Sequence, residues 1–142
     1  MKKIIIIIIA ACLFYSGFAQ NDSNKTEAVK IQIGAYGGLT SIIGVEMGFD
    51  IPKFGTLLGF TEVNLYGDPS IVLGLTSLTN WSKKHNSGMI LRTGIATDFK
   101  AFFSLGYYNQ LELSVFYIRP QFEVIIYNQV GFNIGIAAGL KL

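Results

Sequence analysis

The chain has 142 residues, 51% of them hydrophobic and 14% charged, with 11 basic and 9 acidic side chains and a formal net charge of +2. Two of the basic residues, Lys2 and Lys3, fall in an N-terminal leader, so the remainder is close to neutral and carries no basic surplus to attract nucleic acid. One cysteine, Cys12, and one histidine, His85, exclude a disulfide framework and leave too few ligands for a zinc site.

The leader runs Met1-Lys2-Lys3, then six isoleucines from Ile4 to Ile9, then Ala10 to Tyr15 and Ser16-Gly17-Phe18-Ala19-Gln20. A positive start, a short apolar core and small residues at Gly17 and Ala19 predict a secretory signal peptide, residues 1–19, cleaved after Ala19. The apolar run is shorter than the roughly 20 residues that span a bilayer as a helix. Within it, Ile9-Ala10-Ala11-Cys12 resembles the lipobox of bacterial lipoproteins, which would make Cys12 a lipidated first residue. The apolar Leu13-Phe14-Tyr15 that follows continues the signal core, where such a protein normally turns polar, so cleavage after Ala19 is preferred. Either way the body of the chain has no thiol chemistry. Residues 20–28 are a polar lead-in, and 29–142 form one domain.

From Val29 onward one alternating stretch follows another, the period-two pattern of strands. The first strand, about 29–39, sets Val29, Ile31, Ile33 and Ala35 against Lys30, Gln32, Gly34 and Tyr36. In the second, about 42–51, Ile43, Val45, Met47, Phe49 and Ile51 oppose Gly44, Glu46, Gly48 and Asp50, and Pro52 to Gly55 turn the chain. The third, about 56–66, opposes Leu57, Thr61, Val63 and Leu65 to Leu58, Phe60, Glu62 and Asn64. A Gly67-Asp68-Pro69-Ser70 turn leads to the fourth, 71–81, and Ser82 to Gly88 is the longest polar interruption. The fifth sets Met89, Leu91, Ile95 and Phe99 against Arg92, Gly94, Ala96 and Asp98. The sixth sets Ala101, Phe103, Leu105 and Tyr107 against Phe102, Ser104 and Gly106.

A seventh strand starts near Leu111, where Leu111, Leu113, Val115 and Tyr117 alternate with Glu112 and Ser114. Past Arg119-Pro120 the inward residues become Gln121 and Glu123, so the parity flips. A turn there would make two strands and nine in all; a bulge at Pro120 within one long strand accounts for the flip and keeps the even count of eight that closed single-chain barrels show. Asn128-Gln129 then turn into the closing strand, 130–142, the cleanest of all: Val130, Phe132, Ile134, Ile136, Ala138, Leu140 and Leu142 share one bulky face, and glycines, Asn133, Ala137 and Lys141 the other.

This pattern predicts an all-β, antiparallel, up-and-down transmembrane barrel of eight strands, its bulky face toward lipid and its bare face toward the lumen. The inward set then contains Lys30, Glu46, Glu62, Arg92, Glu112, Glu123 and Lys141, which in so narrow a barrel are expected to pair into a network that fills the interior. Glycines recur on that face, as a tightly curved sheet requires. Aromatics gather near strand ends, among them Phe49, Phe54, Tyr66, Trp81, Phe99, Tyr107, Tyr108, Tyr117, Tyr127 and Phe132, as at a water–lipid boundary.

No catalytic residue, metal site or cofactor motif is legible; His85 lies in a loop with Ser82 and Ser87 nearby only in sequence. On its leader, its alternating segments and its closing run Gly131 to Leu142, the chain resembles the small eight-stranded outer-membrane β-barrel proteins of Gram-negative bacteria. The resemblance implies outer-membrane lipid as surroundings and the barrel-assembly machinery as a partner reading Phe132, Ile134, Ile136, Leu140 and Leu142; it names no small-molecule ligand. The leading expectation is a structural or interaction barrel. A narrow channel would need the inward charges to line a water path, and an exported soluble barrel holding an apolar ligand would need the apolar residues inside.

Overall fold

The computed structural model describes residues 28–39, 41–52, 54–65, 69–82, 86–127 and 130–142, the side chains of residues 41, 42 and 82 aside. The leader, most of the lead-in, Tyr66 and His85 lie outside the described residues. Nine strand segments appear and no helix among the described residues. They are β1 (Lys30–Gly38), β2 (Ser41–Ile51), β3 (Gly55–Asn64), β4 (Ser70–Ser82), β5 (Ser87–Ala96), β6 (Ala101–Asn109), β7 (Leu111–Leu113), β8 (Phe116–Ile126) and β9 (Val130–Lys141).

Every pairing is antiparallel, and β1 with β9 and β6 with β8 close the sheet on itself. Segments β6 and β7 are one wall strand: both meet β8 in a single register, Tyr108 opposite Gln121 and Leu111 opposite Ile118. The architecture is therefore an eight-stranded up-and-down barrel. Its seam is tied at the chain's C-terminus, where Ile31 and Leu142 exchange backbone hydrogen bonds of 2.8 and 2.9 Å.

The registers fix the barrel's shape. Starting at Lys141 and stepping across the pairs through Gln32, Gly48, Leu58, Thr76, Arg92, Ser104 and Ile125 returns to the starting strand at Gly131, a shear of 141 − 131 = 10 residues. With roughly 3.3 Å rise per residue and roughly 4.8 Å between strands, that shear tilts the strands by roughly 40°. An 11-residue strand such as β2 or β8 then covers roughly 27 Å along the axis.

The eight-strand count holds, but the expected bulge at Pro120 is not there. Strand β8 pairs with β9 without a shift from Phe116 opposite Leu140 to Ile126 opposite Val130. The parity flips earlier, because β7 ends at Leu113 and a tight turn at Ser114 and Val115, with Ser114 at φ 60°, reverses the chain. Sequence alternation runs through this turn unbroken, which hid it. Proline is accommodated differently: the ladder to β8 skips the two positions opposite Arg119 and Pro120, so the missing N–H falls where no bond is made. The Gln110 backbone N–H at this gap donates instead to the Asn86 carbonyl, at 2.9 Å. As a result Tyr117, expected outward, points into the lumen; Tyr108, expected among the boundary aromatics, points inward too, by the parity of Phe102 and Ser104 in β6. The fifth strand also ends sooner than expected, at Ala96; a hairpin turn over 97–100 follows, with Phe99 at φ 60° and its N–H bonded to the Ala96 carbonyl at 2.9 Å.

Candidate functional site in the lumen

Alternation sends one face of every strand inward, and the tilted closure stacks those side chains in layers. The two apolar clusters of the interior are unequal. Tyr36, Phe60, Val72, Ala96, Phe102, Tyr117, Ile125 and Ala137 form one, with Val72, Ala96, Phe102 and Ile125 near the end away from the termini. Leu58, Leu78, Ile90 and Tyr108 form the other, against the wall made by β3 to β6. A chain of polar contacts runs between and beside them.

At the mouth that shares an end with the termini, the Lys141 ammonium lies 2.6 Å from both Asp50 and Glu112. Thr56 donates to Asp50 at 3.1 Å and the Gln110 amide to Glu112 at 3.0 Å. These side chains surround a recess of about 10 Å³, room for one water. Deeper in, Arg119 donates through one Nη to both oxygens of Glu46, at 2.7 and 2.8 Å, and the Tyr117 hydroxyl donates to Glu46 at 2.8 Å. The Arg119 Nε reaches Gln121 at 3.2 Å, and the Gln121 amide donates to Glu123 at 2.7 Å. At the next level Arg92 meets Glu62 at 2.7 Å and Glu123 at 3.7 Å; Tyr36 donates to Glu62 and Ser104 to Glu123.

The chemistry of this interior is charge compensation. Three buried glutamates face two buried arginines, and the neutral donors Tyr36, Tyr117, Ser104 and Gln121 add hydrogen bonds to the carboxylates. Buried ions persist only when paired and bonded in this way. Arg92 is held by more than charge: its guanidinium lies 4.0 Å from the Phe60 ring centroid, 4.5 Å from Tyr36 and 5.6 Å from Phe102. Among the described residues no group of acidic, histidine or cysteine side chains is placed to hold a metal ion.

Of the residues singled out from the sequence, Glu46, Glu62, Arg92 and Glu123 meet in the buried network, and Glu112 and Lys141 pair at the mouth. Lys30 does not join them; it is exposed at the start of β1. The chief omission was Arg119, together with Tyr117, which shares its Glu46 partner; Gln121, read inward, bonds both Arg119 and Glu123. Placing the hairpin at Ser114 and Val115 would have put both Tyr117 and Arg119 inward by parity alone, and Asp50, already on the inward face, had only to be counted among the charges. Phe132, Ile134, Ile136 and Leu142 of the closing strand stand exposed on the outer surface, with Leu140 half-buried beside Phe116.

The fold and this interior define a class, a small closed antiparallel barrel whose lumen is filled by paired charges and rings. Comparison finds no matching family model, no similar curated protein and no similar solved structure.

Proposed function

We propose that the chain is an outer-membrane β-barrel with a structural or interaction role, delivered by a signal peptide cleaved after Ala19 and surrounded by lipid, with a plugged lumen and no catalysis. One observation carries this reading: the partition of side chains is inside out. Arg92, Arg119 and Glu123 are 1%, 0% and 0% exposed, whereas Leu73, Phe132, Ile134 and Ile136 are 63%, 64%, 60% and 59% exposed. Burying charge while leaving aliphatic and aromatic surface open is favourable only where the surroundings are themselves apolar. The height of roughly 27 Å per strand matches the roughly 25 Å apolar band of such barrels. Exposed Trp81 and Tyr107, with ring centroids 6.2 Å apart, lie toward the end that carries the termini, where an aromatic girdle belongs.

The channel reading needs a continuous wet path, and the buried ion pairs together with the Val72, Ala96, Phe102 and Ile125 layer speak against one. A soluble barrel holding an apolar ligand needs the opposite orientation of its faces. The outward face of β9 is the surface offered to the barrel-assembly machinery during insertion; acylation at Cys12 is the lesser alternative to cleavage after Ala19. Cell fractionation with a gel-shift assay tests the proposal. The protein should stay with membranes in carbonate and migrate faster unboiled than boiled, and release by carbonate or identical migration would overturn it. Purified barrel in a planar bilayer should be electrically silent, and steady conductance would restore the channel.

A further inference from the structure

We propose that Tyr36, Phe60, Phe102, Glu62 and Glu123 form a guanidinium-binding cage in the lumen, occupied in the native protein by the chain's own Arg92. The inference rests on the interior geometry and holds whatever surrounds the barrel. Side chains from β1, β3, β6 and β8 converge on the one that β5 contributes. Phe60 stands edge-on to both Tyr36 and Phe102, with ring centroids 6.5 and 6.0 Å apart, so the three rings brace one another without help from Arg92. The carboxylates are anchored independently too, Glu62 by Tyr36 and Glu123 by Ser104 and Gln121. What this arrangement selects is a flat, weakly hydrated cation that lies among ring faces and offers an edge N–H to the Glu62 carboxylate and the Tyr36 hydroxyl, with Glu123 adding opposite charge 3.7 Å away, which describes guanidinium better than ammonium.

Arg119 supplies the contrast within the same lumen. It donates through Nη to Glu46 and through Nε to Gln121 and stands 5.8 Å from a single ring, so its site is built mainly of acceptors where that of Arg92 is built mainly of rings. The two sites therefore differ in what they tolerate. A lysine at either position can keep its ion pair; at the first it forfeits the contacts of a flat cation with three rings, and at the second it loses the Gln121 bond and contact with one ring.

Because the walls stand on their own contacts, truncating Arg92 should leave a vacant site for a small free guanidinium compound. Methylguanidinium is the probe, added during refolding so that no entry path into the finished barrel is needed, with methylammonium at equal concentration as control. Arg92→Ala is expected to lower the folding equilibrium constant by about a hundredfold or more, as removal of one member of a buried ion pair does. Methylguanidinium present during refolding should recover at least about tenfold of this at saturation, while methylammonium recovers none and wild type gains nothing from either. Equal recovery by the two cations, or undiminished stability of Arg92→Ala without ligand, overturns the proposal. Should Arg92→Ala not fold under any condition, the lysine variants decide. A loss in Arg92→Lys well beyond that in Arg119→Lys supports the cage, and equal losses overturn it.

Discussion

Arg119 shows how much of a residue's behaviour depends on its partner. Its guanidinium is fully buried and bonded to both oxygens of Glu46. Glu46→Leu leaves that charge unpaired and is expected to destabilise the barrel by about 3–5 kcal/mol. The double variant Glu46→Leu with Arg119→Leu should lose far less, because no ion is stranded. Urea unfolding midpoints of the singles and the double check this, and a double variant as weak as the sum of the singles would contradict it. Asp98 is a residue of another kind, in the turn beyond the wall. The Lys100 side chain, 2.8 Å away, and the Lys100 backbone N–H hold its carboxyl below the ordinary 3.8, at about 2. A folded-state value below the unfolded one means that the contribution is complete above about pH 4 and disappears as pH falls through about 2. Asp98→Asn should therefore reduce the acid-side slope of stability only between about pH 4 and 2, with the two proteins converging at the acid end of that range. A difference confined to higher pH would contradict this assignment.

At the scale of the strand, what is visible in sequence is parity, and parity fails where a turn preserves alternation. The run from Leu111 to Tyr117 alternates cleanly in sequence, yet Ser114 and Val115 reverse the chain within it. Only the registers distinguish this turn from a bulge at Pro120, because pairing depends on which strands lie alongside, and local pattern carries no information about that. Glycines divide in the same way. Gly106 faces the lumen, and a Cβ there would run into the Phe122 carbonyl and the Glu123 backbone, so the curved wall has no room for a side chain. Gly59 faces outward, and its nearest obstacle would be the Met47 carbonyl at 3.7 Å, ordinary contact. Gly59→Ala is expected to be neutral or to stabilise by up to ~1 kcal/mol through the unfolded state. Gly106→Ala should be clearly destabilising, since backbone must shift. Denaturant midpoints of the two variants test the contrast, and the reverse order would mean that the wall at Gly106 yields more easily than its contacts indicate.

For the whole molecule, the single tryptophan is a ready depth gauge. Trp81 is 64% exposed on the outside of β4 near the terminal end of the barrel. In vesicles of lipid brominated at different acyl positions its fluorescence should be quenched most by bromines close to the headgroup and least by those near the bilayer centre. Absence of quenching at every depth would contradict a lipid-facing surface. The same scale separates what sequence determines here from what only the closed structure decides. Residue order alone determined the strands outside the run from Leu111 to Pro120, the split into a bulky and a bare face, and the inward placement of Glu46, Glu62, Arg92 and Glu123, because side-chain direction along a strand is a local, period-two property. Closure decided the rest. The ten-residue shear sets which inward side chains share a layer, and so brings Arg92 from β5 against Tyr36, Phe60, Phe102, Glu62 and Glu123 from four other strands, while leaving Lys30 exposed outside the network. Contacts across a lumen depend on tilt and register summed around the whole wall, a quantity that no stretch of sequence contains.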